Sequence, residues 1–113
     1  MPMNAMTLED VEELVHKHAV GHLSAINHGI SLNQALIAPQ RISVIARTVH
    51  ADRLTDKELD TWLVGREERD DGYLIILSED GLGFGLASKG LPADPYPVLV
   101  GWYGSLKSAF LGM

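Results

Sequence analysis

The sequence predicts an α+β fold: a four-stranded antiparallel meander with a long N-terminal helix packed on one face, a short second helix and a C-terminal helix. Two observations carry the sheet. Asp80-Gly81 sits between two alternating apolar runs, the pattern of a tight hairpin. Upstream, residues 41–49 alternate in strand fashion, and residues 59–66 do so around Trp62 and Val64. One observation carries the first helix: Leu8, Val11, Leu14, Val15, His18, His22, Ala25 and Ile26 recur at helical spacing along one face.

Taken in order, residues 1–6 read as a flexible start. Thr7 and Asp10 form a capping-box pair, and Glu9, Asp10, Glu12 and Glu13 lie near the positive end of the helix dipole. The first helix is expected over residues 8–28, ~30 Å long, with Asn27-His28-Gly29 as its C-terminal cap. Gly21 and Ala25 would let this helix touch down on the glycine-lined side of the hairpin. Ser31 and Gln34 repeat the capping signature, which places a second helix over 32–37, stopped by Pro39. After the strand at 41–49 comes a polar connection, 50–58, where Thr55 and Glu58 make one more capping pair. The strand at 59–66 leads into a charged turn at 67–72.

The hairpin strands follow at 73–78 and 82–87. A two-residue type I′ turn at Asp80-Gly81 sets Leu77 opposite Phe84 and Ile75 opposite Leu86. Tyr73, Ile75, Leu77, Leu82, Phe84 and Leu86 then share a bulky face. The other face, Leu74 and Ile76 against Gly83, Gly85 and Ala87, is thin enough for a ring to approach the backbone, with Trp62 as candidate. Three prolines make 90–97 an irregular loop. Leu99, Trp102, Leu106 and Phe110 place a helix over 98–110, weakened by Gly101 and Gly104.

Composition narrows the functional classes. The 113 residues suffice for one domain, 1–113, with its own core. Without cysteine there is neither disulfide nor thiolate chemistry. No apolar run approaches the ~18 residues of a membrane span. The first residues carry acids where a signal peptide has bases, so a soluble, cytoplasmic protein is expected. Fifteen acids against nine bases give a net charge of −6, which argues against nucleic acid, whose affinity rests on Lys and Arg meeting phosphates.

Five histidines stand out: His16, His18, His22, His28 and His50. His18 and His22, four apart on a helix, could ligate one metal ion. No carboxylate shares their arc, and the plainer reading is two hydrogen-bonded imidazoles between helix and sheet. His16 and His28 read as surface residues. Gly81-Leu82-Gly83-Phe84-Gly85 matches a phosphate loop only in composition, because its glycines alternate inside a strand. No serine lies in a Gly-x-Ser-x-Gly elbow.

The remaining candidates are contact residues. Glu67, Glu68, Asp70 and Asp71, interleaved with Arg66 and Arg69, make either a solvated turn or a partner's contact surface. Trp102 and Tyr103 either complete the core or anchor an interface. The expectation is a small acidic binding or regulatory protein, not an enzyme and without a cofactor, that meets a protein partner in the manner of an inhibitor or immunity-type protein. Self-association as a homodimer through an edge strand is an alternative form of that contact. The rivals are a metal- or small-molecule-binding protein using His18 and His22, and a structural subunit of a larger assembly.

Overall fold

The computed structural model describes residues 6–68, 72–90 and 92–113. Along the chain it places α1 (Leu8–Ala19), β1 (Ile26–Asn27), β2 (Ile30–Ser31), α2 (Leu32–Ala35), β3 (Leu36–His50), β4 (Arg53–Arg66), β5 (Leu74–Ser78), β6 (Phe84–Ser88), β7 (Val98–Gly104) and α3 (Leu106–Leu111). The class is α+β, but the main sheet is a closed five-stranded barrel and not a four-stranded meander. β3 to β7 pair antiparallel in sequence order. An odd number of strands leaves the first and last running the same way, so β7 closes onto β3 in parallel, at Ile45↔Val98.

Side chains alternate across each strand, and both faces of this sheet are apolar. Inside the barrel Val44, Ile76 and Ala87 pack with Ile42, Leu59, Leu74 and Leu99. Outside, Trp62, Val64, Ile75, Leu77, Phe84 and Leu86 meet Val11, Val15 and Ala19 of α1, Leu32 and Ala35 of α2, and Leu106, Ala109 and Phe110 of α3. Met6 joins this outer cluster. The rest of the start expected to be flexible, residues 1–5, lies outside the described residues.

The first helix is short. Thr7 and Asp10 form the expected capping box, but α1 ends at Ala19 after 12 residues. Gly21 takes φ +83° and bends the chain away, with the His22 N–H donating to the Ala19 carbonyl. That glycine is the stop signal of the helix, not a mid-helix contact. Asn27-His28-Gly29 is no helix cap either. His28 (φ 54°) and Gly29 (φ 80°) are the two left-handed residues of a type I′ turn joining β1 to β2. The second capping box, Ser31 with Gln34, is present, yet α2 is a single turn because Leu36 is already extended. Pro39 lies within β3, at the bulge between Leu36 and Gln40, where no ladder N–H is required.

Residues 50–58 are not a connection. Ala51 and Asp52, both at positive φ, make a two-residue turn, and β4 starts at Arg53. The β5–β6 register is the expected one, Leu77↔Phe84 and Ile75↔Leu86, but its turn is longer. The Ser78 N–H donates to the Gly83 carbonyl and the Gly81 N–H to the Ser78 carbonyl, with Gly81 at φ +77°. Leu82 therefore leaves the bulky face and is 85% exposed. The Ser78 hydroxyl and the Leu82 N–H donate to Asp80 and hold its carboxyl below the ordinary aspartate value.

The ring lying over the thin face is Trp102, not Trp62: a Cβ built on Gly85 would come within 2.7 Å of Trp102 Cε3. Trp62 is buried on the opposite, helix-covered face. The expected helix over 98–110 divides in two. Its first half is β7, the closing strand, and only Leu106–Leu111 is helical, capped by the Ser105 hydroxyl.

Candidate functional site

The β3–β4 hairpin is longer than the barrel needs. Its ladder runs out to His50↔Arg53. β7 meets β3 only at Ile45, and β5 meets β4 from Thr61 inward. Residues 46–50 and 53–57 consequently form a two-stranded arm with no neighbouring strand on either side among the described residues, and the outer edge of β4 stays unpaired through 58–60. Near its tip Val49 and Leu54 face each other across the ladder, 70% and 69% exposed. An apolar cross-strand pair left open to water in this way is a cost to the free protein that a partner can relieve.

The root of the arm is held by charge. Arg47 lies directly opposite Asp56 and grips both of its oxygens, at 2.8 and 2.9 Å. The same guanidinium reaches Asp94, in the segment before β7, at 2.7 Å. These bonds keep Arg47 protonated, and the Arg47 fork holds the Asp56 carboxyl below its ordinary value. On the barrel side, Arg41 stacks over the Trp62 ring at 5.1 Å and pairs with Glu79 at 3.3 Å.

The turn fixes which backbone groups are open. A two-residue turn makes His50 and Arg53 a hydrogen-bonded pair, and bonded and non-bonded pairs then alternate. Arg53, Thr55 and Lys57 therefore direct their N–H and C=O groups to β3, while Leu54, Asp56 and Glu58 direct theirs outward. Ile45, opposite Glu58, bears this out, since its N–H faces away from β4 and donates to the Pro97 carbonyl at 2.8 Å.

The residues singled out from sequence do not gather in one place. Glu67, read as a surface charge, is 6% exposed. Its Oε1 accepts from the Tyr73 N–H at 3.2 Å and its Oε2 lies 3.3 Å from His28 Nδ1. His28 Nε2 lies 2.9 Å from the Met113 backbone oxygen, and Asn27 Nδ2 donates to the Phe110 carbonyl. The β1–β2 turn thus ties the end of α3 to the end of β4. Glu68 is exposed, and Asp70 and Asp71 lie outside the described residues. Trp102 is 45% exposed over Gly85, whereas Tyr103 packs into the helix-side cluster.

His18 sits on α1 with its ring 4.8 Å from Phe84, and His22 lies in the turn beyond the helix. Both border one shallow cleft, together with Lys17 and Lys107, whose charges oppose a cation there. No group of three or more His, Cys, Asp or Glu placed to hold a metal occurs among the described residues. A larger cleft of about 820 Å³ opens between the segments after β4 and before β7, where Arg66, Glu68, Lys89, Asp94 and Tyr96 mix both signs of charge. Among the described residues no helix is long and apolar enough to cross a membrane.

Sequence reading missed the arm because its turn, Ala51-Asp52, lacks the glycine that flags a type I′ hairpin. The signal that could have found it is Thr48-Val49 and Leu54-Thr55 on either side of the short stretch 50–53, since β-branched and apolar pairs suit facing strands. Compared with known protein families, curated proteins and solved structures, the chain finds no match.

Proposed function

We propose that this chain is a small acidic binding or regulatory protein that holds another protein through the β3–β4 arm, as an inhibitor or immunity-type protein would, in the cytoplasm. The observation that supports the reading is the arm itself: paired strands beyond the barrel, stiffened at their root by Arg47 between Asp56 and Asp94, ending in the open Val49–Leu54 pair. A rigid element needs little ordering on binding, so its apolar tip and its charges convert into affinity at low entropic cost. The acidic balance of the chain, −6, adds attraction for partners with a basic face. Metal binding at His18 and His22 has weaker support, because Lys17 and Lys107 share their cleft.

The test is capture from the source-cell lysate by immobilised protein, alongside a Val49→Ser, Leu54→Ser double variant. One specific partner is expected, weakened by added salt and lost with the variant. Recovery of nothing above background, or of a partner indifferent to both substitutions, refutes the reading.

A further inference from the structure

We infer that the outer edge of β4, from Arg53 to Glu58, is a strand-addition site for an extended segment of a partner protein whose charges are the inverse of its own. The inference rests on the arm reading above and names what the arm holds. Leu54, Asp56 and Glu58 turn their backbone N–H and C=O groups away from β3, and no backbone partner meets them among the described residues. The barrel closes with β7 meeting β3 at Ile45, and the arm projects past that closure, so its β4 edge offers an added strand a free ladder.

The side chains beside this edge choose the occupant. In an antiparallel addition, directly opposed side chains share a face and touch. Glu58 and Lys57 have no ion-pair partner among the described residues, so they call for a basic and an acidic residue in succession. Asp56, already held by Arg47, favours a small polar neighbour. Leu54 favours a β-branched apolar residue, and Arg53 an acid. Read from the residue opposite Glu58 towards the one opposite Arg53, the matching segment is Lys-Glu-Thr-Thr-Val-Glu.

A second copy of this chain does not fit through the same edge. Both strands must direct their free backbone groups at each other, which allows only pairings centred on a residue. Centred on Asp56, the pairing sets Asp56 against itself. Centred on Lys57, it sets Lys57 against itself and Asp56 against Glu58. Centred on Thr55, it sets Arg53 against Lys57. Centred on Glu58, it sets Glu58 against itself, and centred on Leu54 it joins only Arg53 to Thr55 before Asp52 meets Asp56. Each of these puts like charges face to face, which is how natural edge strands avoid their own kind.

The probe is the blocked peptide Lys-Glu-Thr-Thr-Val-Glu at millimolar concentration, titrated into the full chain and followed by amide shifts and hydrogen exchange. The comparison peptide is Glu-Lys-Thr-Thr-Val-Lys, which sets like charges opposite Glu58, Lys57 and Arg53. The first peptide is expected to slow exchange at Leu54, Asp56 and Glu58 and to bind about tenfold tighter than the second. Glu58→Pro removes an N–H that faces away from β3, so the hairpin keeps its ladder while the added strand loses a donor and meets the ring. It should abolish the response. The variant Lys57→Glu should weaken the first peptide and gain affinity for the same sequence with lysine at its second position.

Equal response to the two original peptides, or to neither, overturns the inference. Lysate capture separates its failure from that of the arm reading. If Val49→Ser, Leu54→Ser loses the partner and Glu58→Pro keeps it, the arm binds but not by strand addition; if neither variant matters, the arm reading itself has failed.

Discussion

Glu67 shows how far one side chain's surroundings can depart from its sequence context. It sits in a run of charges, yet its carboxylate is buried, accepts from the Tyr73 N–H and faces His28. His28 is placed for this by a left-handed backbone, φ 54°, that histidine adopts more readily than bulkier or β-branched residues. The consequence is a coupled pair, in which each side chain also keeps a backbone partner, the Tyr73 N–H for Glu67 and the Met113 oxygen for His28. Glu67→Ala is expected to destabilise by about 1–2 kcal/mol, since it leaves the part-buried Tyr73 N–H unmet, and Glu67→Gln by less, since its amide oxygen still accepts. A double-mutant cycle with His28→Ala, read by urea unfolding, should show a coupling of at least about 0.5 kcal/mol. Additive effects would mean that the 3.3 Å contact contributes nothing. Nothing in the sequence could have exposed this pair, because Glu67 and His28 meet only once β4 and the β1–β2 turn are both in place.

Among the elements, the lengths of helices and strands depend on single residues. Gly21 ends α1 at φ +83° in open space, with nothing within 4 Å of where a Cβ would stand. Gly21→Ala therefore changes backbone strain alone, and should lower stability by about 1–2 kcal/mol in thermal or urea unfolding. No loss would show that the turn relaxes freely. The capping boxes at Thr7 and Ser31 and the Leu77↔Phe84 register were legible because each rests on residues three to seven apart in sequence. The rest depended on distant partners. Helical spacing continues past Gly21 to Ile26, but Gly21 turns the chain out of the helix and Ile26 ends up exposed in β1. Val98, Val100, Trp102 and Tyr103 suit a strand as well as a helix, and β6 and β3 decided between them. Of the candidate site, the acidic balance was readable, while the arm was not, since its few apolar residues, Val49 and Leu54, sit among charges and its turn carries no glycine.

At the scale of the whole molecule, closing the barrel concentrates weakness in one seam. β7 and β3 share the single ladder pair Ile45↔Val98, reinforced by the Ile45 N–H donating to the Pro97 carbonyl. Arg47 spans that seam, joining Asp56 on the arm to Asp94 in the segment leading to β7. One guanidinium thus couples the orientation of the arm to the closure of the barrel. Arg47→Leu should keep the fold, because the two cores do not use Arg47, but Ile45 should lose about tenfold or more of its exchange protection while Ile76 in β5 keeps its own. The pH dependence has a definite sign. Asp56 is held below its ordinary value of 3.8 by Arg47, so its share of the clamp is complete above that pH and is lost as pH falls through the lowered value. The gap in Ile45 protection between native protein and variant should stay level from neutral pH down to about 4 and narrow only in stronger acid. If the gap closes at higher pH, Asp56 is not the group that holds the arm. If Ile45 and Ile76 lose protection together, the seam opens only with the whole barrel, and the arm is as rigid as the fold that carries it.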